Sequence, residues 1–119
     1  MGVAIEPVWA VTPEKVDAVV RRLIEAGRPR KIFLFGSYVR GQTHRDSDLD
    51  VLVVTDDKVE NTRKESARLR SAVSDIHMPM DILVIPISEY ERLRDRWDLI
   101  YYEATQNGRV VYDRPATFH

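Results

Sequence analysis

Three short apolar runs in this chain each meet a residue that an ordinary buried strand has no use for. Ile32-Phe33-Leu34-Phe35 runs into Gly36-Ser37, Leu49 to Val54 is entered through Asp48 and interrupted by Asp50, and Met80 to Ile85 carries Asp81. The runs are too short for helices and rich in β-formers, which predicts buried strands. Side chains alternate along a strand, so Asp48 and Asp50 look out together while Leu49 and Val51 pack behind them. Two carboxylates on one face, about 6–7 Å apart by the rise per residue, can share divalent metal ions.

Helical patterns separate the strands. Thr12-Pro13-Glu14 combines a hydroxyl cap, a proline at the first helical position and an acid in the first turn. Val16, Val19, Val20, Leu23 and Ile24 follow as one apolar stripe, closed by Gly27. Tyr38 to Arg40 is expected to begin a short helix that breaks at Gly41, and Gln42 to Asp46 to form a polar loop. A charged helix is expected over about 58–75, with Leu69, Ala72, Val73 and Ile76 on its apolar side. Ser88-Glu89-Tyr90-Glu91 has the form of a capping box. The helix behind it carries Tyr90, Leu93, Trp97, Ile100, Tyr101 and Ala104 on one stripe, with a break near Trp97-Asp98, and ends at Gly108. Arg109 to Tyr112 predicts a closing strand. At 119 residues this alternation predicts one α/β domain spanning 1–119, with a core over about 13–112 and tails at 1–11 and 113–119.

Composition excludes several roles. A net charge of −1 argues against strong direct binding to nucleic acid, whose phosphates demand a basic surface. No cysteine is present, so neither disulfides nor thiolate metal sites arise. The first residues lack the apolar run of a signal peptide, and no stretch approaches the roughly 20 apolar residues of a membrane span. A cytoplasmic location is the expectation.

The carboxylates suit one chemistry well. Moving a nucleotide from a triphosphate is an in-line displacement at phosphorus, catalysed by positioning and by neutralising developing charge. Two Mg²⁺ ions, held by a few carboxylates and the substrate phosphates, do this. Asp48 and Asp50 fit as bridging ligands, and Asp81 as a third carboxylate nearest the acceptor hydroxyl. The Gly36-Ser37 turn offers close backbone approach and amides for phosphate oxygens, and Arg40 a charge-assisted contact.

At these residues the chain resembles a known family. Gly36-Ser37-x-x-Arg40-Gly41, then Asp48-x-Asp50, then Asp81 on a later strand, is similar to the minimal nucleotidyltransferases of the DNA polymerase β superfamily. The resemblance covers roughly residues 13–112 and implies a polymerase β-like nucleotidyltransferase fold, a small mixed β-sheet with flanking helices. It implies triphosphate binding at Gly36 and Ser37, metal binding at Asp48 and Asp50, and Asp81 completing the metal site and assisting acceptor deprotonation. Val39 stands where many relatives have Ala, a change without consequence for activity. The sequence ends after this core, so the acceptor is expected from a partner or to be small. Minimal nucleotidyltransferases are often paired with helical HEPN-domain toxins, which implies an antitoxin-like enzyme adding AMP from ATP to a toxin tyrosine. An occluding antitoxin that uses its site weakly or not at all stays open, as does a small-molecule nucleotidyltransferase acting as a homodimer.

Each residue also has a plainer role. Asp48 and Asp50 alone could be a solvated pair after a turn, and Asp81 alone a strand-start acid. Arg40 either touches phosphate or, slightly favoured, braces the loop through Asp46 or Asp48. Ser47 is expected to support a turn, and His44, His77 and His119 to be solvated. The aromatic stripe from Tyr90 to Tyr101 is expected in the core, although Trp97, Tyr101 and Tyr102 suffice for a partner or dimer interface. The run Arg63 to Arg70 is expected on an exposed helix face.

Overall fold

The computed structural model describes residues 10–41 and 48–114. Helix α1 (Pro13–Gly27) begins where the sequence places it, with the Thr12 hydroxyl accepting from the Lys15 amide at 3.3 Å. Val16, Val19 and Leu23 form its buried stripe. The left-handed position that ends it falls on Arg28 (φ 44°) rather than on Gly27. Gly27 instead gives room to the next helix, since a β-carbon there would stand 3.1 Å from Leu69 Cδ2.

The strands are β1 (Lys31–Phe35), β2 (Leu49–Thr55), β3 (Met80–Pro86) and β4 (Arg109–Asp113), in sheet order β3-β2-β1-β4. β1 pairs antiparallel with β2 and with β4, whereas β2 and β3 run parallel. The sheet is therefore mixed, and a parallel pair needs a crossover. Helix α2 (Thr62–Ala72) supplies it, capped by the Asn61 side chain accepting from the Lys64 amide at 3.0 Å. The helix is shorter at both ends than the charge pattern suggested, and Leu69 is its buried anchor.

Alternation divides the core into two layers. Ile32, Leu34, Leu49, Val51, Val53, Met80 and Ile82 pack under Val16, Val19 and Leu23 of α1 and Leu69 of α2. Phe33, Phe35, Leu52, Val54 and Ile85 face the other way, toward Tyr90 of α3 (Ile87–Leu93) and Ala104 of α4 (Ile100–Asn107). Sheet registration thus fixes which side chains can meet on each face.

Two expectations about the C-terminal helices need correction. Ser88 does not cap α3, whose N-cap is Pro86 without a side-chain bond; the Ser88 amide instead donates to Asp57 Oδ1 at 3.0 Å. A proline at the cap leaves no side-chain acceptor, and the β2–α2 loop provides one. The break near Trp97-Asp98 is real and wider than one residue, since α3 ends at Leu93 and α4 begins at Ile100. It carries Trp97 (82% exposed) and Ile100 (45% exposed) out of the stripe, while Tyr90, Leu93, Tyr101 and Ala104 stay packed. Among the described residues no helix is long and apolar enough to cross a membrane.

Candidate active site

The parallel register of β2 and β3 sets Asp50 directly beside Asp81. Adjacent strands lie about 4.8 Å apart, and paired residues point to the same face. Leu49, Val51, Met80 and Ile82 belong to the layer under α1 and α2, so both carboxylates look toward the opposite side, that of α3 and α4. Asp48 shares the parity of Asp50 and is exposed at the strand entrance. Asp81, distant in sequence, thus joins the neighbouring Asp48 and Asp50 at one corner of the sheet.

Their charges are felt. The Asp50 carboxyl is half-buried and its proton affinity is raised, first by burial, then by the negative charges of Asp81 and Asp48; Arg40 opposes the shift. Among the described residues no three acidic, histidine or cysteine side chains form a ready-made metal cage. Mg²⁺ does not demand one, because it is commonly held by one or two carboxylates together with substrate phosphates. The donors at this corner are hard carboxylate oxygens, as that ion prefers.

β1 delivers the turn. Phe35 pairs with Asp50 across the antiparallel ladder, so Gly36 emerges against the Asp50 carboxylate. Gly36 is buried with φ +85°, and a β-carbon on it would stand 2.1 Å from Asp50 Oδ2. Only glycine combines that backbone conformation with that closeness. Ser37 Oγ donates to the Asp48 carbonyl at 3.5 Å, a long contact that links the turn to the start of β2. Residues 37–41 form turns rather than the expected short helix, closed by the Arg40 amide on the Gly36 carbonyl at 3.2 Å and the Gly41 amide on the Tyr38 carbonyl at 3.2 Å. Val39 packs against the core, as its apolar side chain requires.

Arg40 has a partner that the sequence did not disclose. Its Nη1 donates to Glu103 Oε1 on α4 at 3.1 Å. The acid lies 63 residues away on a helix, not at Asp48 as the expected loop brace required. Asp46, Ser47 and His44 fall outside the described residues, as does His119. His77 is exposed, its carbonyl accepting from Lys15 Nζ at 2.8 Å. The Arg63–Arg70 run is mostly exposed, yet Arg70 Nη1 is drawn in to the Met80 carbonyl, one residue before Asp81. Local patterning could not reveal Glu103; the only trace is Glu103 and Asn107 at helical i, i+4 spacing.

Comparison with known proteins adds independent findings. A family model described as a nucleotidyltransferase domain matches residues 14–112. A candidate protein adenylyltransferase of Methanocaldococcus jannaschii is 39% identical over 57 residues, 48% of this chain and 56% of that relative. A second from the same organism is 57% identical over 30 residues, 25% of this chain and 30% of that relative. The chain thus spans about half the length of the first and less of the second. Among solved structures, a candidate nucleotidyltransferase from Sulfolobus solfataricus superposes with a TM-score of 0.54 at 20% identity, covering 85% of this chain and 79% of that one. A toxin–antitoxin complex solved with AMP-PNP gives 0.53 at 24% identity, covering 87% and 75%. These likenesses agree with the mixed sheet and flanking helices in showing the polymerase β-like fold.

Proposed function

This chain belongs to the nucleotidyltransferase domain family, and we propose that it transfers AMP from ATP to a hydroxyl of a partner protein, as an antitoxin-like minimal nucleotidyltransferase. The observation that carries this reading is the register that sets Asp50 beside Asp81, with Gly36 closed against Asp50 from the other strand. A row of like charges costs stability unless something cationic is meant to join it.

In this reading Asp48 and Asp50 hold Mg²⁺, which when bound neutralises charge developing on the phosphoryl oxygens and the leaving pyrophosphate. The amides after Gly36 and the Ser37 hydroxyl receive the triphosphate, and Arg40 adds a cationic contact. Asp81 accepts the proton of the acceptor hydroxyl. That oxygen bonds to the α-phosphorus as the bond to the bridging oxygen breaks, and pyrophosphate leaves.

The acceptor class is supported by the protein adenylyltransferases named among the relatives and by the toxin–antitoxin complexes among the structural neighbours. A tyrosine on a helical HEPN-domain toxin is the acceptor we favour. The test is intact mass spectrometry of such a partner after incubation with this chain, ATP and Mg²⁺. A gain of AMP on the partner, mapped to tyrosine, supports the proposal. A partner held in a tight complex but left unmodified would make the chain an occluding subunit instead.

A further inference from the structure

Glu103 lies outside every sequence motif, yet both of its carboxylate oxygens are committed. Oε1 accepts from Arg40 Nη1 at 3.1 Å, and Oε2 accepts from Asn107 Nδ2 at 2.9 Å. Asn107 stands one turn along α4, where an i, i+4 partner can reach the same carboxylate and fix its plane. Arg40 is therefore gripped from the α4 side. Its backbone is nonetheless anchored beside Asp50, since the Arg40 amide donates to the Gly36 carbonyl at 3.2 Å and Gly36 is packed against the Asp50 carboxylate. A guanidinium carries five N–H groups in a rigid fork. Among the described residues, the Arg40 side chain has no acceptor other than Glu103.

Without Glu103, the negative charges left to attract Arg40 would include the carboxylates of Asp50 and Asp48. A guanidinium laid across those oxygens would occupy the positions a cation needs and turn its fork away from a triphosphate. We propose that Glu103, oriented by Asn107, is a positioning residue that holds Arg40 off the carboxylate row and leaves its free N–H groups for the triphosphate. This rests on the nucleotidyl-transfer reading above and adds α4 to the machinery. The pair is too exposed to matter much for folding, with side-chain exposures of 49% and 36%. Positioning and structural roles therefore separate cleanly.

The test is calorimetric titration with AMP-PNP and Mg²⁺, using wild type, Glu103→Ala, Glu103→Gln, Arg40→Ala and the double variant, with melting temperatures alongside. Glu103→Ala is expected to weaken AMP-PNP binding about fivefold, the upper end for an exposed charge pair. Glu103→Gln keeps an acceptor oxygen and should stay within about twofold of wild type. In the Arg40→Ala background the Glu103→Ala change should add nothing, because its effect passes through Arg40. Melting temperatures should stay together. Equal weakening in both backgrounds, or no weakening in the first, overturns the inference while leaving nucleotide binding established. Failure of the wild type itself to bind AMP-PNP overturns the underlying reading, and this inference with it.

Discussion

A β-carbon built on Gly36 would stand 2.1 Å from Asp50 Oδ2 and 3.0 Å from its Cγ, so the Gly36-Ser37 turn and the Asp50 carboxylate are packed backbone against side chain. Gly36→Ala must push Asp50 aside and also strain a backbone at φ +85°. The expected cost is about 2–4 kcal/mol, from overpacking and left-handed strain together, with transfer abolished. Thermal melting and an AMP-transfer assay check this. Wild-type melting and activity would mean that the turn does not depend on this contact.

Asp50 also sets a pH dependence. Its proton affinity is higher folded than unfolded, so deprotonation is resisted more in the native state. Stability contributed by this group is then lost as pH rises from its unfolded value, about 3.9, through its raised native value. Asp50→Asn should match wild type at the acid end and become the more stable protein above it, in chelator. Saturating Mg²⁺ should narrow the gap. A melting-temperature difference independent of pH, or of opposite sign, would contradict the crowding of Asp50 by burial, Asp81 and Asp48.

The start of α3 gives a purely structural prediction. Asp57 accepts from the Ser88 amide at 3.0 Å, whereas the Ser88 side chain makes no capping bond. Asp57→Ala should cost about 1 kcal/mol, as the loss of a helix cap does. Ser88→Ala should be near neutral. Denaturant unfolding of the two variants decides, and the reverse order would restore the capping box read from the sequence.

Gly108 closes α4 onto the sheet. A β-carbon there would lie 2.3 Å from the Ala104 carbonyl oxygen and 2.7 Å from that of Leu34, both backbone atoms that cannot swing away. Gly108→Ala should therefore destabilise by about 1–3 kcal/mol through overpacking. Because α4 carries Glu103, binding of AMP-PNP should weaken as well. A variant as stable as wild type would show that the α4–β4 reversal has slack.

Much of this was written locally. The Thr12-Pro13-Glu14 start, the β1 run into Gly36-Ser37 and the alternation of Asp48 and Asp50 with Leu49 and Val51 depend on near neighbours, and the structure keeps them. Asp81 was legible as a strand acid, but its place beside Asp50 is a matter of register, which one strand alone cannot state. The α3–α4 stripe failed at Trp97 because helical periodicity assumes an unbroken helix, and the chain breaks between Leu93 and Ile100. Glu103 could not be found at all, since its meaning comes from Arg40, 63 residues away. Close packing likewise explains Gly27 and Gly108, which the sequence marked only as helix ends.

The most direct measurement is transfer of label from ATP labelled at the α-phosphorus to a HEPN-domain partner with Mg²⁺, for wild type beside Asp48→Asn, Asp50→Asn and Asp81→Asn. Label on a partner tyrosine with wild type, and none with any of the three folded variants, is the predicted result. Label transferred equally well by the Asp variants, or none by wild type in a stable complex with its partner, would contradict the claim that this carboxylate corner is a nucleotidyl-transfer site.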